Sequence, residues 1–163
     1  MSELDASDLR LADLLFIRGN QWIDLPVKLV TRSQYTHVAG YVGAGKLIEA
    51  QGLRKTGYQD LYTYQGVCDV YRYPGWTLER SEQIIAYSES KIGSRYDYTL
   101  LAWEFFRLSF GVILPYIKNN RRICSTLWAD AYKHAGVNLC PSLEYPTPSD
   151  LVKSKLLRKI GSF

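Results

Sequence analysis

Only three cysteines and two histidines occur among the 163 residues, and there is one methionine. Three cysteines cannot all pair, and a chain long enough to bury roughly 70% of its unfolded surface needs no stapling, so a disulfide framework is excluded and reduced thiols are expected. The sparse ligand set also excludes a structural zinc site. Cys124, His134 and Cys140 lack the close paired spacings that such sites use. No low-complexity run is present, which excludes disordered and fibrous classes. The opening Met-Ser-Glu-Leu-Asp-Ala-Ser-Asp has neither a basic n-region nor an apolar h-region, so no secretory signal is read and the chain as written is expected in the cytoplasm.

What remains is an ordinary globular composition, 47% hydrophobic and 22% charged, expected to form one domain over residues 1–163. The net charge of +4 and pI near 8.9 come from scattered basic residues, so no nucleic-acid partner is expected. The densest basic cluster, Lys153, Lys155, Arg158 and Lys159, is read as the solvated face of a terminal helix that Thr147-Pro148-Ser149-Asp150 opens. Residues 98–117 reach membrane-spanning length, but Glu104, Arg107 and Pro115 interrupt them. A packed amphipathic helix is the expectation, with peripheral lipid contact as the alternative and no transmembrane segment.

The first half of the chain reads as strands. Asp13–Arg18 is a short apolar run closed by Gly19-Asn20, and Asp69-Val-Tyr-Arg-Tyr alternates and stops at Pro74-Gly75. Between them, His37-Val-Ala-Gly-Tyr-Val and Lys46-Leu-Ile-Glu-Ala flank Gly43-Ala44-Gly45 as a β-hairpin. The second half reads as helices. Thr77 can cap one that runs to Ile92 and Gly93, and another opens near Cys124 and closes at Gly136. On the latter, Cys124, Trp128, Ala131 and Ala135 share one face, so the cysteine faces inward from the first turn. The fold class is therefore α+β.

Chemistry enters through three residues. Centring the hairpin on Gly43 gives paired residues a constant number sum of 86, which sets His37 directly opposite Glu49 on one face. Their Cβ atoms would then lie about 4.5–5.5 Å apart. A carboxylate there can fix the histidine tautomer and stabilise its imidazolium, although a plain polar cross-strand pair is an equal reading of the hairpin alone. A thiol at a helix N-terminus has its thiolate stabilised by the dipole and by free N–H groups, which can also hold an oxyanion. Standing alone, Cys124 would read as a buried core cysteine. With a histidine and an acid elsewhere in the chain it reads as a nucleophile, His37 as its base and Glu49 as the orienting residue.

Five motifs, Tyr35-Thr-His37-Val-Ala-Gly-Tyr-Val-Gly43, Leu47-Ile-Glu49-Ala, Gly93-Ser-Arg-Tyr96-Asp97, Ile123-Cys124-Ser125-Thr-Leu-Trp-Ala and Pro146-Thr-Pro148-Ser-Asp150, stand in an order that resembles a known family. It is the circularly permuted, YiiX- and YaeF-like branch of the NlpC-type papain-like cysteine amidases. The resemblance implies a papain-like fold, an antiparallel β-sheet packed against helices with the nucleophile at a helix N-terminus. It also carries Cys124, His37 and Glu49 onto the nucleophile, base and third polar residue, with Tyr35, Tyr41, Tyr96 and Ser125 as expected substrate-binding positions. No metal and no cofactor are implied. Relatives similar to lecithin retinol acyltransferase have a second histidine where Glu49 stands, which tilts the expectation toward bacterial and phage amidase-like members. The leading function is hydrolysis of an amide bond, plausibly in a peptidoglycan peptide, by a protein that could be phage-encoded or released on lysis. A lipid-directed thioesterase, amidase or acyltransferase and a non-catalytic binding module are the alternatives, so the expected partner is a peptide or acyl-amide substrate.

Overall fold

In the computed structural model, which describes residues 3–19, 33–50, 55–95 and 123–163, a six-stranded antiparallel sheet carries the elements that build the site. The strands are β1 (Leu14–Arg18), β2 (Tyr35–Gly43), β3 (Lys46–Glu49), β4 (Gly57–Asp60), β5 (Cys68–Arg72) and β6 (Arg158–Ser162), in the spatial order β4-β3-β2-β1-β5-β6. Three α-helices are described, α1 (Leu78–Glu89), α2 (Cys124–His134) and α3 (Pro148–Val152). Thr77 caps α1 by accepting from the Arg80 N–H, and Thr147 with Asp150 forms a reciprocal capping box on α3.

β1 reads as a continuous apolar run because both of its faces are covered. On one side Leu14 and Phe16 pack with Val38, Ile48 and the α2 residues Leu127, Trp128, Ala131 and Tyr132. On the other, Leu15 and Ile17 pack with Ala39, Tyr41, Leu47, Leu61, Tyr64 and Phe163. Cys68 belongs to this second cluster, fully buried, with its thiol donating to the Phe163 carbonyl.

Two expectations change. The hairpin turns through Ala44-Gly45, both with positive φ as a two-residue type I′ turn requires, and a bulge falls between Tyr41 and Gly43. The paired-residue sum is consequently 88, seen in Gly40 opposite Ile48 and Tyr41 opposite Leu47. A slip of two keeps every side chain on its expected face, whereas a slip of one would have reversed them all. The basic C-terminal cluster is not a helix face either, since α3 stops at Val152 and Arg158–Ser162 is an edge strand on β5. The reason lies in Asp69, a fully buried carboxylate of β5 that needs partners. It takes Lys159 Nζ at 2.9 Å and Ser162 Oγ at 2.7 Å from β6, with Arg18 Nη1 at 2.7 Å and the Tyr35 hydroxyl. Burial alone would raise its pKa, and these four donors together lower it.

No helix among the described residues is long and apolar enough to cross a membrane. The segment 98–117 lies outside the described residues.

Candidate active site

Cys124 is the first residue of α2, and Ile123 before it is extended, so the first-turn N–H groups have no intrahelical acceptor. Two backbone N–H groups point at the Cys124 sulfur, one from Ser125 in that first turn and one from Val38 in β2. Strand register explains why Val38 has a donor to spare. Tyr41 exchanges hydrogen bonds with Asp13 and Ala12 at 2.8 Å, so the odd-numbered residues of β2 direct their backbone toward β1 and the even-numbered ones toward β3. Pairing of β2 with β3 ends at Gly40 and Ile48, which leaves the Val38 N–H to the sulfur.

The depth of α2 is set by Trp128, one turn after Cys124. Its indole packs directly against Gly40, where an added Cβ would fall 2.1 Å from Cζ2, and its Nε1 donates to the Ile48 carbonyl at 3.2 Å. Only glycine admits that approach.

His37 and Glu49 meet although they are not directly opposite. Extended one step past the last pair, Gly40 with Ile48, the sum of 88 sets Glu49 level with Ala39 and makes His37 its diagonal neighbour, a separation of about 7–8 Å that two long side chains span. His37 Nε2 lies 2.8 Å from Glu49 Oε2. Glu49 is only 4% exposed, and its carboxylate also accepts from the Tyr64 hydroxyl at 2.6 Å and from Gln59. Burial would push this carboxyl up, yet the donors from His37, Tyr64 and Gln59 hold it below its ordinary value, so it is ionised at neutral pH.

With Nε2 committed to Glu49, the ring presents Nδ1 to Cys124, to which the imidazole is hydrogen-bonded. Burial disfavours the charged form of both groups, and their mutual attraction reverses it. The His37 imidazolium pulls the thiol below its ordinary value with help from the Val38 and Ser125 N–H groups. Burial opposes the imidazolium, but the charges and hydrogen bonds of Cys124 and Glu49 raise His37 to about 10. Both shifts act in the direction that favours a thiolate–imidazolium pair, backed by a carboxylate. Cys68 and Cys140 go the other way, burial pushing them up to about 12 and about 11.

Cys124, His37 and Glu49 are thus brought together, as the sequence leads one to expect. Of the four expected substrate-binding positions, three fall among the described residues. Tyr35 is buried, its hydroxyl donating to Asp69 and its ring against Phe16 and Tyr71. Tyr41 is buried in the cluster on the far face from α2. Both are packing residues here: Tyr41 is on its expected sheet face, which is covered, and a bulge where β1 pairs with β2 between Ile17 and Arg18 turns Tyr35 toward the other cluster. Ser125 is fully buried beside Cys124, and its Oγ has no hydrogen-bond partner among the described residues. Tyr96 lies outside the described residues. Gln59 and Tyr64 are not legible as site residues, since Gln59 lies in a strand of four residues and Tyr64 in the short 3-10 turn Leu61–Tyr64 that follows it, and no apolar periodicity in the sequence marks either.

Among the described residues no group of three His, Cys, Asp or Glu side chains could hold a metal ion. The donor set does not fit a resident metal, as the Glu49 carboxylate is committed to His37, Tyr64 and Gln59.

No protein-family model and no curated protein sequence matches the chain. Among solved structures, the chain is similar to one described as the metalloprotein YiiX from Escherichia coli O157:H7, DUF1105. The two share 14% identity with a TM-score of 0.72, over 94% of this chain and 97% of that one. The chain accordingly has a YiiX-like fold, an α+β architecture with a six-stranded antiparallel sheet.

Proposed function

We propose that the chain is a cysteine hydrolase that cleaves an amide bond, with Cys124 as nucleophile, His37 as general base and acid, and Glu49 as the residue that orients and stabilises the imidazolium. The observation that carries this reading is the convergence of a helix-start cysteine, an imidazole and a buried ionised carboxylate in one hydrogen-bonded line. A cysteine in the core for packing alone has no use for two N–H donors and an imidazolium.

The thiolate attacks the substrate carbonyl carbon, forming a C–S bond while the C–N bond breaks. The His37 imidazolium gives its proton to the departing amine, leaving a thioester on Cys124 and a neutral imidazole. Water then attacks the thioester with His37 taking its proton, the C–S bond breaks, and the carboxylic acid product leaves the regenerated pair. The resemblance to NlpC-type amidases favours a peptide of the cell wall as the amide. Incubation with muropeptides and with acyl lipids, followed by mass analysis of the products, tests the assignment. New muropeptide fragments whose masses sum to that of the parent plus one water support it. Products from acyl lipids alone would move the same triad to lipid chemistry, and no product from either would leave a binding module.

The pH profile follows from the signs of the shifts. With Cys124 lowered, activity rises through a pKa below the ordinary thiol value as the thiolate forms. With His37 raised, the proton needed by the leaving group is lost only as pH passes about 10. A plateau of kcat/KM across neutral pH is expected, and a single ascending limb near the ordinary thiol value of about 8.5 would contradict it.

Glu49→Gln should stay folded and lose part of its rate, because an amide oxygen still accepts from Nε2 but does not balance the imidazolium charge. Loss of the carboxylate in serine triads costs about 10⁴, and with a preformed ion pair the loss here is expected at roughly 10²-fold. Steady-state kinetics with a circular dichroism control checks it, and an unchanged rate would reduce Glu49 to a structural partner of the hairpin.

A further inference from the structure

We propose that Tyr64, in the 3-10 turn Leu61–Tyr64 that follows β4, is a positioning residue of this site, fixing the Glu49 carboxylate in the orientation and ionised state that His37 needs. This rests on the assignment of Cys124 and His37 made above.

Glu49 Oε2 accepts from two donors at once, His37 Nε2 at 2.8 Å and the Tyr64 hydroxyl at 2.6 Å. A carboxylate free to rotate about its own axis would exchange its oxygens and swing its charge away from the ring. A second donor on the same oxygen prevents this. The Tyr64 ring is itself close to the imidazole, with centroids 6.0 Å apart, so one side chain braces both partners.

The turn that carries Tyr64 is locally fixed. Asp60 caps it by accepting from the Tyr62 N–H at 2.8 Å, and the Leu61 N–H donates to the Gly45 carbonyl at the hairpin turn at 2.9 Å. Gln59 holds the carboxylate from β4 while its own Oε1 accepts from the Asp60 N–H at 3.0 Å and from Thr63 Oγ1 at 3.4 Å. Leu47 on the same strand as Glu49 and Leu61 in the same turn as Tyr64 are fully buried. Among the described residues, the titratable groups that face Glu49 are His37 from β2 and Tyr64 from the turn, with Cys124 reached from α2 through His37. A buried carboxylate in such a setting loses its charge unless it keeps its donors.

Removing the hydroxyl in Tyr64→Phe leaves Glu49 with one strong donor fewer. Its carboxyl then takes up a proton at higher pH, the imidazolium loses its counter-charge, and the thiolate weakens with it. Stability of the ion pair is present above the Glu49 pKa and is lost as pH falls through it, so the loss begins earlier in the variant. The acid limb of Cys124 carbamidomethylation by iodoacetamide should move up by about one pH unit, the change expected for loss of a hydrogen bond to a charged group.

The experiment measures that limb for Cys124 in the wild-type protein, Tyr64→Phe, Glu49→Gln and the Tyr64→Phe/Glu49→Gln double variant, with thermal melts as folding controls. The expected result is an upward shift in Tyr64→Phe that disappears when Glu49 is already glutamine, because Tyr64 acts through that carboxylate. A depressed wild-type limb with no shift in Tyr64→Phe overturns the role of Tyr64 and leaves the hydrolase reading intact. An ordinary thiol limb in the wild type overturns the hydrolase reading itself. A shift that persists undiminished in the double variant assigns Tyr64 to packing and overturns the proposal. If Tyr64→Phe does not fold, Gln59→Leu reports on the same carboxylate and should shift the limb in the same direction by a smaller amount; an unmoved limb there overturns the bracing arrangement.

Discussion

Cys124→Ser is expected to lower kcat/KM by on the order of 10⁴-fold or more while the protein stays folded. The hydroxyl occupies less volume than the thiol at a position already 5% exposed, so packing against Trp128 and Val38 is preserved. Its proton, however, is held several units more tightly, and neither the His37 imidazole nor the Val38 and Ser125 N–H groups can make an alkoxide out of it. The preformed nucleophile is lost with its charge. His37→Ala should fall by a similar factor, because the same imidazole keeps the thiolate ionised and delivers the proton to the leaving amine. The double variant should be little worse than either single one, since the two side chains act as a unit. Additive losses in Cys124→Ser/His37→Ala would mean that the two do not share a step.

Gly40→Ala should be the most damaging conservative change in the sheet. A Cβ at that position meets Cζ2, Cη2 and Cε2 of Trp128 at 2.1, 2.2 and 2.5 Å, inside any real carbon contact. The indole cannot give way cheaply, as it is fully buried and pinned by its hydrogen bond to the Ile48 carbonyl. Overpacking of this kind costs about 1–3 kcal/mol, and partial expulsion of a tryptophan brings the total toward about 4 kcal/mol. For a chain of this length that lowers Tm by roughly 8–16 °C. The molecules that remain folded should also lose activity, because raising α2 off β2 draws Cys124 away from the Val38 N–H. Thermal melts and rates measured below the transition check both parts. An unchanged Tm would show that α2 does not sit on β2 at this depth.

Sequence reasoning reached the triad because each member has a local signature. Glycines bracket the hairpin, a cysteine begins an amphipathic run, and an acid lies at even spacing from a histidine across the turn. The register was off by two because the choice between a turn at Gly43 and one at Ala44-Gly45 with a bulge depends on backbone twist that composition does not encode. The conclusion survived because faces repeat every two residues. Composition alone reads the basic residues of β6 as the solvated face of a helix, whereas Asp69, ninety residues earlier, decides where Lys159 goes. Tyr35 and Tyr41 look like groove residues in a one-dimensional reading and are core residues in the fold. Tyr64 was invisible for the same reason, since its partner is set by tertiary packing of a turn with no periodicity of its own.

The proposed mechanism requires Cys124 to be a thiolate at neutral pH while the other two cysteines are thiols. Brief labelling with iodoacetamide at pH 7, followed by peptide mapping, measures this for all three in one sample. Cys140 is more exposed than Cys124, so accessibility alone favours Cys140, and ionisation alone favours Cys124. Cys124 is expected to be modified first, and Cys68 and Cys140, pushed up to about 12 and about 11, to remain largely unlabelled. Labelling of Cys140 ahead of Cys124, or equal labelling of all three, would contradict it.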